Sequence, residues 1–342
     1  ILKTRRNAAI TPGTSTQGDA QQASALAEEA LGILLSEVET QQVHWLWEKR
    51  IPLGKITILD GDPGMGKSLL AIHLAACVST GRPMPDGTPG RDGSVIVIAP
   101  EDGAGDTLKP RLEAAGGDPS KVLLLNTVES IDVKGIRISD RPFSLSHDLN
   151  ALEAAIHQTK ASLVIIDPLM AVLGHTIDAS RDQDVREVFT PLAHLAERTN
   201  CAILIIRHLS KSSAENLLYR GAGSIGIIAA ARIGLIVAQY PFDPHQRLLA
   251  TTKNNLSKKP SHLIYQIEEN EHGVPYIHWL GENHDELSTL LASASLSIHR
   301  QDIINVLKES MLPLGPKEIA ERTALDYATL RKLLRRMHDS RE

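Results

Sequence analysis

One eight-residue stretch restricts the fold of this chain more than any other. It reads Gly61-Asp62-Pro63-Gly64-Met65-Gly66-Lys67-Ser68 and fits the pattern G-x-x-x-x-G-K-[ST]. The apolar run Ile56–Leu59 leads into it, and the helical pattern Leu69–Val78 follows. This order predicts a buried strand, a loop of exposed backbone N–H groups and the N-terminus of a helix, a combination that attracts phosphate.

Each residue type in this stretch has a chemical reason to be there. Glycines let the backbone N–H groups turn toward an anion, and the helix dipole adds to their attraction. Lys67 is expected to reach the β- and γ-phosphates of ATP, and the Ser68 hydroxyl to ligate Mg²⁺. We therefore predict that residues Gly61 to Leu69 bind the nucleotide. The alternative is a glycine-rich turn without a ligand.

Alternating apolar runs and helical patterns set the expected fold class. Short apolar runs recur along the chain, with helical patterns between the earlier ones: Ile56–Leu59, Val95–Ala99, Val122–Leu125, Leu163–Ile166, Ala202–Ile206 and Ile233–Val237. Continuously apolar strands separated by helices indicate an α/β fold with a mostly parallel sheet covered on both faces. Three later segments read as a C-terminal antiparallel extension: Arg247–Lys253, His262–Ile267 and Tyr276–Leu280.

The remaining segments differ from this core in composition. Residues 1–24 are predicted to form a disordered arm or linker and residues 25–42 a short helix, ahead of the α/β domain at 43–281. Residues 282–296 read as a linker. Residues 297–342 follow the order helix, short helix, turn, helix, which is typical of a small all-α helix-turn-helix domain. In a winged form of this domain a β-wing would follow the last helix, and the domain would then be cut short.

Composition excludes several classes of protein. The chain has 342 residues, 42% of them hydrophobic, and a formal net charge of −5, so it is not a general polycation. Aromatic residues make up 3% of the chain, which argues against a surface of many stacked bases. Two cysteines without zinc spacing indicate a reducing cytoplasm, and no apolar run is long enough to span a membrane.

Polar residues follow three of the predicted strands at the edge where ligands of α/β sheets bind. Asp167 ends the run Leu163–Ile166 and is expected to hold Mg²⁺ with Ser68. Glu101 and Asp102 follow another strand, where either could orient and deprotonate an attacking water or merely cap a helix. His208 ends a third strand and could contact the γ-phosphate, although an isolated histidine is more often structural.

Several motifs occur together in one order along residues 43–280. They are Trp45-Leu-Trp with Ile51-Pro-Leu-Gly-Lys55, the Gly61–Ser68 stretch, Pro100-Glu-Asp102, Asp106-Thr-Leu-Lys-Pro-Arg-Leu112, Ile166-Asp-Pro168, Arg207-His-Leu-Ser-Lys211, Tyr219-Arg-Gly-Ala-Gly-Ser224 and Lys253-Asn-Asn-Leu256. Together they resemble the RecA-like ATPases of the plasmid and phage RepA replicative-helicase type, which often act beside a primase. The C-terminal segment also resembles helix-turn-helix tails of that group.

This resemblance implies a RecA-like core that forms rings, commonly hexamers, with ATP between subunits. It assigns Glu101 as the catalytic glutamate, His208 as the sensor of the γ-phosphate and residues 211–223 as the loop that faces nucleic acid. Lys253 matches the basic residue given to the neighbouring subunit's γ-phosphate. Lysine lacks the planar fork of arginine, so Arg220 and Arg232 remain rival candidates.

Local basic residues are the candidate contacts to nucleic acid. Lys211 and Arg220 lie in the expected channel loop, which could equally be a solvated loop. Residues 297–342 carry a net charge of +2, and their last helix places four basic residues in one stripe: Arg331, Lys332, Arg335 and Arg336. Such a stripe suits a recognition helix, a solvated face or a protein-docking surface.

The sequence thus predicts an ATP-hydrolysing, ring-forming translocase on single-stranded DNA. A replicative DNA helicase or primase-associated ATPase of a mobile element fits it best. The main alternative is an ATP-switched DNA-binding regulator or loader ATPase without unwinding activity. A RecA-like recombinase is a weaker alternative, and a small-molecule kinase fits least because the sequence suggests no acceptor pocket or lid.

Overall fold

A computed structural model describes most of the chain. The described residues are 34–131, 137–174, 177–209, 224–287, 290, 302–310, 312–323 and 325–339. The chain divides into two compact units, Ile1–Gln42 and Val43–Glu342. None of the described helices is both long and apolar enough to cross a membrane.

A nine-stranded sheet forms the centre of the second unit. Its strand order is β13-β12-β11-β10-β3-β9-β8-β4-β5. The strands are β3 (Ile56–Gly61), β4 (Ser94–Ile98), β5 (Val122–Leu124), β8 (Ala161–Ile166), β9 (Ala202–His208), β10 (Ile233–Gln239), β11 (Gln246–Asn254), β12 (His262–Glu269) and β13 (Pro275–Asn283). The six strands from β10 to β5 are parallel, and β11 to β13 are antiparallel. The predicted α/β class and antiparallel extension are confirmed.

Helices cover both faces of this sheet, as the continuously apolar strands require. They are α1 (Lys67–Thr80), α2 (Lys109–Ala114), α3 (Leu149–Thr159), α4 (Leu169–Val172), α5 (Asp182–Thr199) and α6 (Ile225–Ala230). One apolar layer packs α1 and α2 against the sheet, and a second layer packs α3, α5 and α6 against its other face. Alternate residues of each central strand, such as Leu59 and Ile58, belong to opposite layers.

Two hairpins were not predicted from the sequence. Strands β1 (Trp45–Trp47) and β2 (Ile51–Pro52) form one, and β6 (Thr127–Ile131) and β7 (Arg137–Pro142) form the other. Their strands are short or polar, so alternation of apolar residues gives little signal over them. Arg50 in the first hairpin lies 5.1 Å from the centre of the Trp47 ring and donates to Asp86 Oδ2 at 2.7 Å.

The predicted helix at 25–42 is wrong over part of its described residues. A single 3₁₀ turn, Leu35–Glu37, is present there, and Val38 has extended backbone angles. Residues 38–42 lack the apolar spacing that would bury a helical face, so nothing offsets the entropy cost of ordering them as a helix. The predicted arm at 1–24 lies outside the described residues.

Three helices form a small apolar cluster near the C-terminus. Residues 302–309 are helical (α7), followed by α8 (Pro316–Thr323) and α9 (Tyr327–Asp339). Their apolar faces share one cluster that includes Ile303, Ile319, Leu330 and Leu333. This is the order of helices expected from the sequence, whereas a helix-turn-helix function for them stays a prediction.

The expected linker at 282–296 is wrong in its described part. Strand β13 extends to Asn283, and Leu290 is buried in a cluster with Leu209, Ile236 and Leu248. Leucines in a polar stretch can close the exposed side of a sheet, and this outweighs the polar composition that suggested a linker.

Candidate nucleotide-binding site

The Gly61–Ser68 loop joins the end of β3 to the start of α1 at the carboxyl edge of the parallel strands. Gly64 and Gly66 have positive φ angles of 76° and 85°, which L residues with a Cβ rarely adopt. A Cβ on Gly66 would lie 2.7 Å from Ile267 Cδ1 of β12. The backbone angles therefore favour glycine at both positions, and at Gly66 a larger residue would also require the Ile267 side chain to shift.

Lys67 is the first residue of α1 and is only 4% exposed. Its Nζ donates to Gly61 O at 2.8 Å and to Asp62 O at 2.9 Å. Burial lowers the pKa of the ammonium, while the nearby Asp167, Asp62 and Asp60 act in the opposite direction. The lysine is thus held over the loop by carbonyls that a nucleotide phosphate could replace.

Ser68 and Asp167, the two residues predicted to hold Mg²⁺, lie together near this lysine. Asp167 directly follows β8, and its carboxylate accepts a hydrogen bond from Ser68. Burial is the main cause that raises the pKa of Asp167 to about 6; the Asp102 and Glu101 carboxylates act in the same direction, and Ser68 and Lys67 in the opposite one. A buried carboxylate with a raised pKa is poised to gain a cation, because a cation restores its charged form.

Glu101 and His208 lie at the same edge. Both side chains are exposed, Glu101 just after β4 and His208 at the end of β9. Burial lowers the pKa of His208, the Lys67 charge adds to this, and Glu101 opposes it. The electrostatic influence of Lys67 and Glu101 on His208 brings these three predicted residues into one site.

A buried ion pair below the loop was not predicted from the sequence. Asp60 on β3 and Arg207 on β9 are paired in register, and they are 3% and 1% exposed. Arg207 Nε donates to Asp60 Oδ1 at 2.7 Å and Nη2 to Oδ2 at 2.8 Å. The sequence does contain a signal for this pair. The two residues have opposite charges and end strands that were expected to be buried, where a charge must be paired.

The next residues of the same two strands connect the loop to the segment after β9. Gly61 pairs with His208, and Gly61 O accepts both from Lys67 Nζ and from Leu209 N, the latter at 3.2 Å. One carbonyl therefore contacts the loop lysine and the backbone that continues from His208.

Lys253 lies at the opposite edge of the sheet from the loop. Its Nζ donates to three carbonyls at the end of α6: Ile228 O at 2.8 Å, Ala229 O at 3.1 Å and Ala231 O at 2.8 Å. Lys253 pairs with Gly234, and Gly234 pairs with Ile58 of β3. Ile58 lies about 10 Å from Gly61 along that strand. In this subunit the lysine binds a helix C-terminus and not the nucleotide loop.

Arg232, one of the two rivals to Lys253, is exposed at the start of β10 on the same edge. The charge of Arg232 lowers the pKa of Lys253, in addition to burial. Its backbone N–H donates to Ile56 O, which fixes its position beside the start of β3. Arg232 thus presents an exposed guanidinium near Lys253.

Several predicted nucleic-acid contacts cannot be placed. Lys211 and Arg220 lie outside the described residues, as do the side chains of Lys332 and Arg336. Arg331 and Arg335 are exposed on α9, and Leu330 and Leu333 are buried. The division of α9 into an apolar and a basic face is confirmed for these four residues.

The residues present fit a nucleotide with Mg²⁺. Gly64 and Gly66 have positive φ angles, and Lys67 donates to carbonyls of the loop. Beside it, the Ser68 hydroxyl contacts the Asp167 carboxylate. Within the described ranges no group of three or more His, Cys, Asp or Glu could hold a metal. One hydroxyl and one carboxylate are the protein ligands expected when phosphates and waters supply the rest.

A comparison with protein families agrees with this geometry. The sequence model of the AAA domain family matches residues 22–214, which is more than half of the chain. The chain belongs to the AAA domain family. The match includes the loop, Glu101, Asp167 and His208.

Curated relatives carry the name RadA. The chain is 22% identical over 200 residues to the DNA repair protein RadA of Streptococcus pneumoniae, covering 58% of this chain and 40% of the relative. It is 27% identical over 164 residues to the DNA repair protein RadA of Halalkalibacterium halodurans, covering 47% and 29%. It is 30% identical over 170 residues to the DNA repair and recombination protein RadA of Cenarchaeum symbiosum, covering 46% and 38%.

This chain therefore contains a RecA-like P-loop ATPase domain related to RadA. It spans less than half of the length of each of these three relatives. The family relationship is broader than the RepA-type resemblance, and it leaves the replicative-helicase subgroup as a prediction.

Proposed function

We propose that this protein hydrolyses ATP to move along single-stranded nucleic acid as a homo-oligomeric ring. The observation that carries the proposal is the contact between Ser68 and Asp167 beside the buried Lys67, at the carboxyl edge of a parallel sheet. These are the groups that P-loop ATPases use for Mg²⁺ and the β- and γ-phosphates. The family match and the RadA relatives support the ATPase part of the proposal.

In the proposed mechanism, Glu101 orients and deprotonates the attacking water. Its exposed carboxylate at the end of β4 lies on the edge where the γ-phosphate would stand. Lys67 leaves the carbonyls of Gly61 and Asp62 and stabilises charge that develops on the phosphate. Mg²⁺, held by Ser68 and Asp167, would neutralise phosphate charge.

His208 is proposed to sense the γ-phosphate and to pass its loss to the following segment. Gly61 O links Lys67 to Leu209 N, so movement of the lysine changes a hydrogen-bond acceptor at the start of that segment. The segment includes Lys211 and Arg220, the predicted contacts to the nucleic-acid backbone. Arg331, Lys332, Arg335 and Arg336 are proposed as further contacts, to duplex DNA.

A cation from the neighbouring subunit is proposed to complete the site. The strand register places Lys253 and Arg232 away from the end of β3 that carries the subunit's own loop, so we assign this role to one of them in a neighbour's site. Lys253 already donates to three carbonyls, whereas Arg232 is exposed. We therefore favour Arg232 over Lys253 for this role, with the ring, its hexameric size and a primase partner as parts of the same proposal.

A second candidate function has support from the relatives' names. Those proteins are named for DNA repair and recombination, so the same ATPase could serve a repair complex and not a replication fork. A third candidate function for the same site is that of an ATP-switched regulator or loader without unwinding activity.

Strand displacement on a forked DNA substrate tests the translocase proposal. We expect ATP-dependent separation of the labelled strand by the wild type, and none by Lys67→Ala. The Arg91→Ala variant removes an exposed arginine outside the proposed site and should separate strands at the wild-type rate. ATP hydrolysis without strand separation by the assembled protein would contradict the translocase and favour the switch, and strand exchange would favour the recombination candidate.

A further inference from the structure

A cavity of about 410 Å³ lies away from the nucleotide loop, between the C-terminal half of α1, the end of α2 and β13. Its walls come from four segments of the chain: His73 and Cys77, Arg82 to Pro85, Ala114 and Ala115, and Tyr276, Ile277 and Trp279. Neither the proposed ATPase mechanism nor the predicted contacts to nucleic acid use these residues.

Arg82 gives this cavity a positive charge. No described acidic residue lines the cavity, and Arg82 forms no ion pair with any residue in the described ranges. Its Nε donates to Cys77 Sγ at 3.3 Å, and its buried Nη2 has no hydrogen-bond partner among those residues. An unsatisfied charged donor is costly to bury, so an acceptor that reached this nitrogen would be stabilised.

His73 supplies a second unsatisfied donor. Trp279 Nε1 donates to His73 Nε2 at 3.0 Å, and therefore the proton of the neutral imidazole is on Nδ1. This Nδ1 is buried and has no hydrogen-bond partner within the described part of the chain. Burial lowers the pKa of His73 to about 4, so the ring is neutral near pH 7 and Nδ1–H remains a donor.

Part of the remaining wall is apolar. Met84 and Ile277 are buried, and Pro83, Pro85, Ala114 and the Trp279 ring add further apolar surface. The Tyr276 hydroxyl already donates to Glu268 Oε2 at 2.6 Å, so it offers no free proton to a ligand. An occupant that combines a hydrogen-bond acceptor with a small apolar group would match both parts of this wall.

We propose that this cavity binds a small amphipathic carboxylate, in which a carboxylate lies next to an aromatic or branched apolar group. The carboxylate would accept hydrogen bonds from Arg82 and His73, and the apolar group would pack against Met84, Ile277 and Trp279. Charge-assisted hydrogen bonds are the strong kind, whereas a neutral amide would leave the arginine charge unbalanced.

Occupancy of the cavity can reach the nucleotide loop through packed side chains. The Trp279 ring lies 5.0 Å from the Tyr265 ring, and Tyr265 is fully buried with its hydroxyl 3.5 Å from Met65 O in the loop. Ile267, two residues after Tyr265 on β12, fills the space beside Gly66. We expect carboxylate and ATP to change each other's affinity by the same factor.

Phenylacetate and its neutral isostere phenylacetamide test this site on the full chain. The indole N–H resonance of Trp279, assigned with Trp279→Phe, should shift on titration with phenylacetate, with a Kd in the millimolar range or tighter. Phenylacetamide should bind at least ~10-fold more weakly, since it forms no ion pair with Arg82.

Variants separate the arginine from general charge effects. Arg82→Met keeps most of the apolar stem and should lose phenylacetate binding by ~10-fold, whereas Arg91→Met, at an exposed arginine outside the cavity, should bind as the wild type. Equal binding of the acid and the amide by the wild type would overturn the proposal without any variant. Unchanged binding by Arg82→Met would also overturn it, and an ATP affinity unaffected by saturating phenylacetate would overturn the coupling to the loop.

Discussion

The Asp60–Arg207 pair shows how a single buried contact can support the site. Its two hydrogen bonds tie the ends of β3 and β9 together one residue before Gly61 and His208. The Asp60 charge acts on the pKa of Lys67, and the pair also supports the loop and His208 by fixing the strands that carry them.

Removal of one partner should therefore be costly. We predict that Arg207→Met lowers the free energy of unfolding by about 3–5 kcal/mol, because it leaves Asp60 buried and unpaired. Urea denaturation measures this change. The double variant Asp60→Leu with Arg207→Met should recover much of the loss, since no charge remains buried.

An exposed pair in the same fold provides the control. Arg198 bonds Glu153 with side chains 48% and 24% exposed, so Arg198→Met should cost less than about 1 kcal/mol. If Arg207→Met cost no more than Arg198→Met, the structural role given to the buried pair would be wrong.

Lys253 and Arg232 are predicted to have separable effects. Lys253→Met removes three hydrogen bonds to the end of α6 and should lower the free energy of unfolding by about 1–3 kcal/mol. Arg232→Met should change it by less than about 0.5 kcal/mol, because the side chain is exposed, yet it should greatly reduce ATP turnover.

Mixed assemblies decide whether Arg232 acts on a neighbour. Subunits that carry Arg232→Met should regain turnover when they are mixed with Lys67→Ala subunits, because each variant supplies what its neighbour lacks. Full turnover by Arg232→Met alone would rule this residue out and return the role to Lys253 or Arg220.

At the scale of elements, α1 explains why some features could be predicted and others could not. It is apolar on nearly all sides, since the sheet covers one side and α2 and β13 cover the other. The helix itself was evident from the sequence, whereas its contact with β13 depends on a strand that lies some 200 residues later. The His73–Trp279 hydrogen bond is therefore invisible to local patterns.

That contact predicts a pH dependence of stability. The folded-state pKa of His73, about 4, lies below its unfolded value of about 6.5, so the unfolded chain binds the proton more tightly. The contribution of the neutral His73 ring to the free energy of unfolding is fully present above pH 6.5. It is lost as the pH falls toward 4, by up to about 3 kcal/mol.

Urea denaturation between pH 7 and pH 4.5 measures this loss. His73→Gln should show a shallower fall in stability than the wild type, while His157→Gln, at an exposed histidine on α3, should follow the wild type. Parallel curves for the wild type and His73→Gln would show that His73 is not buried as a neutral ring.

The contrast between features evident in local sequence patterns and contacts with distant segments also holds across the candidate site. The loop, Ser68, Asp167, Glu101 and His208 could be predicted because each ends or follows an apolar run at one edge of the sheet. The actual partners of Lys253 could not, because its hydrogen bonds go to a helix C-terminus that was not predicted. The predicted helix was wrong at 38–42 and the predicted linker was wrong in the described part of 282–296. In both stretches a few apolar residues decide whether a polar segment packs against the core.

At the scale of the whole molecule, the net charge of −5 constrains how nucleic acid can bind. A single subunit has only two basic residues, Lys211 and Arg220, in its predicted contact loop, whereas a ring would repeat them around one strand. We predict weak binding of single-stranded DNA by the monomer and much tighter binding by the ATP-assembled form. Fluorescence anisotropy at several salt concentrations measures both.

The salt dependence distinguishes this mode from stacking on aromatic residues. Affinity of the assembled form should fall steeply as salt rises, because it comes from phosphate contacts. Equal affinity with and without ATP, or affinity insensitive to salt, would contradict assembly-dependent binding.

The rate of ATP hydrolysis with and without single-stranded DNA tests the central claim most directly. We predict that the wild type hydrolyses ATP and that single-stranded DNA increases the rate several-fold, while Lys67→Ala shows no turnover under either condition. Turnover that is the same with and without DNA, or that survives Lys67→Ala, would contradict a nucleic-acid-driven ATPase built on this loop.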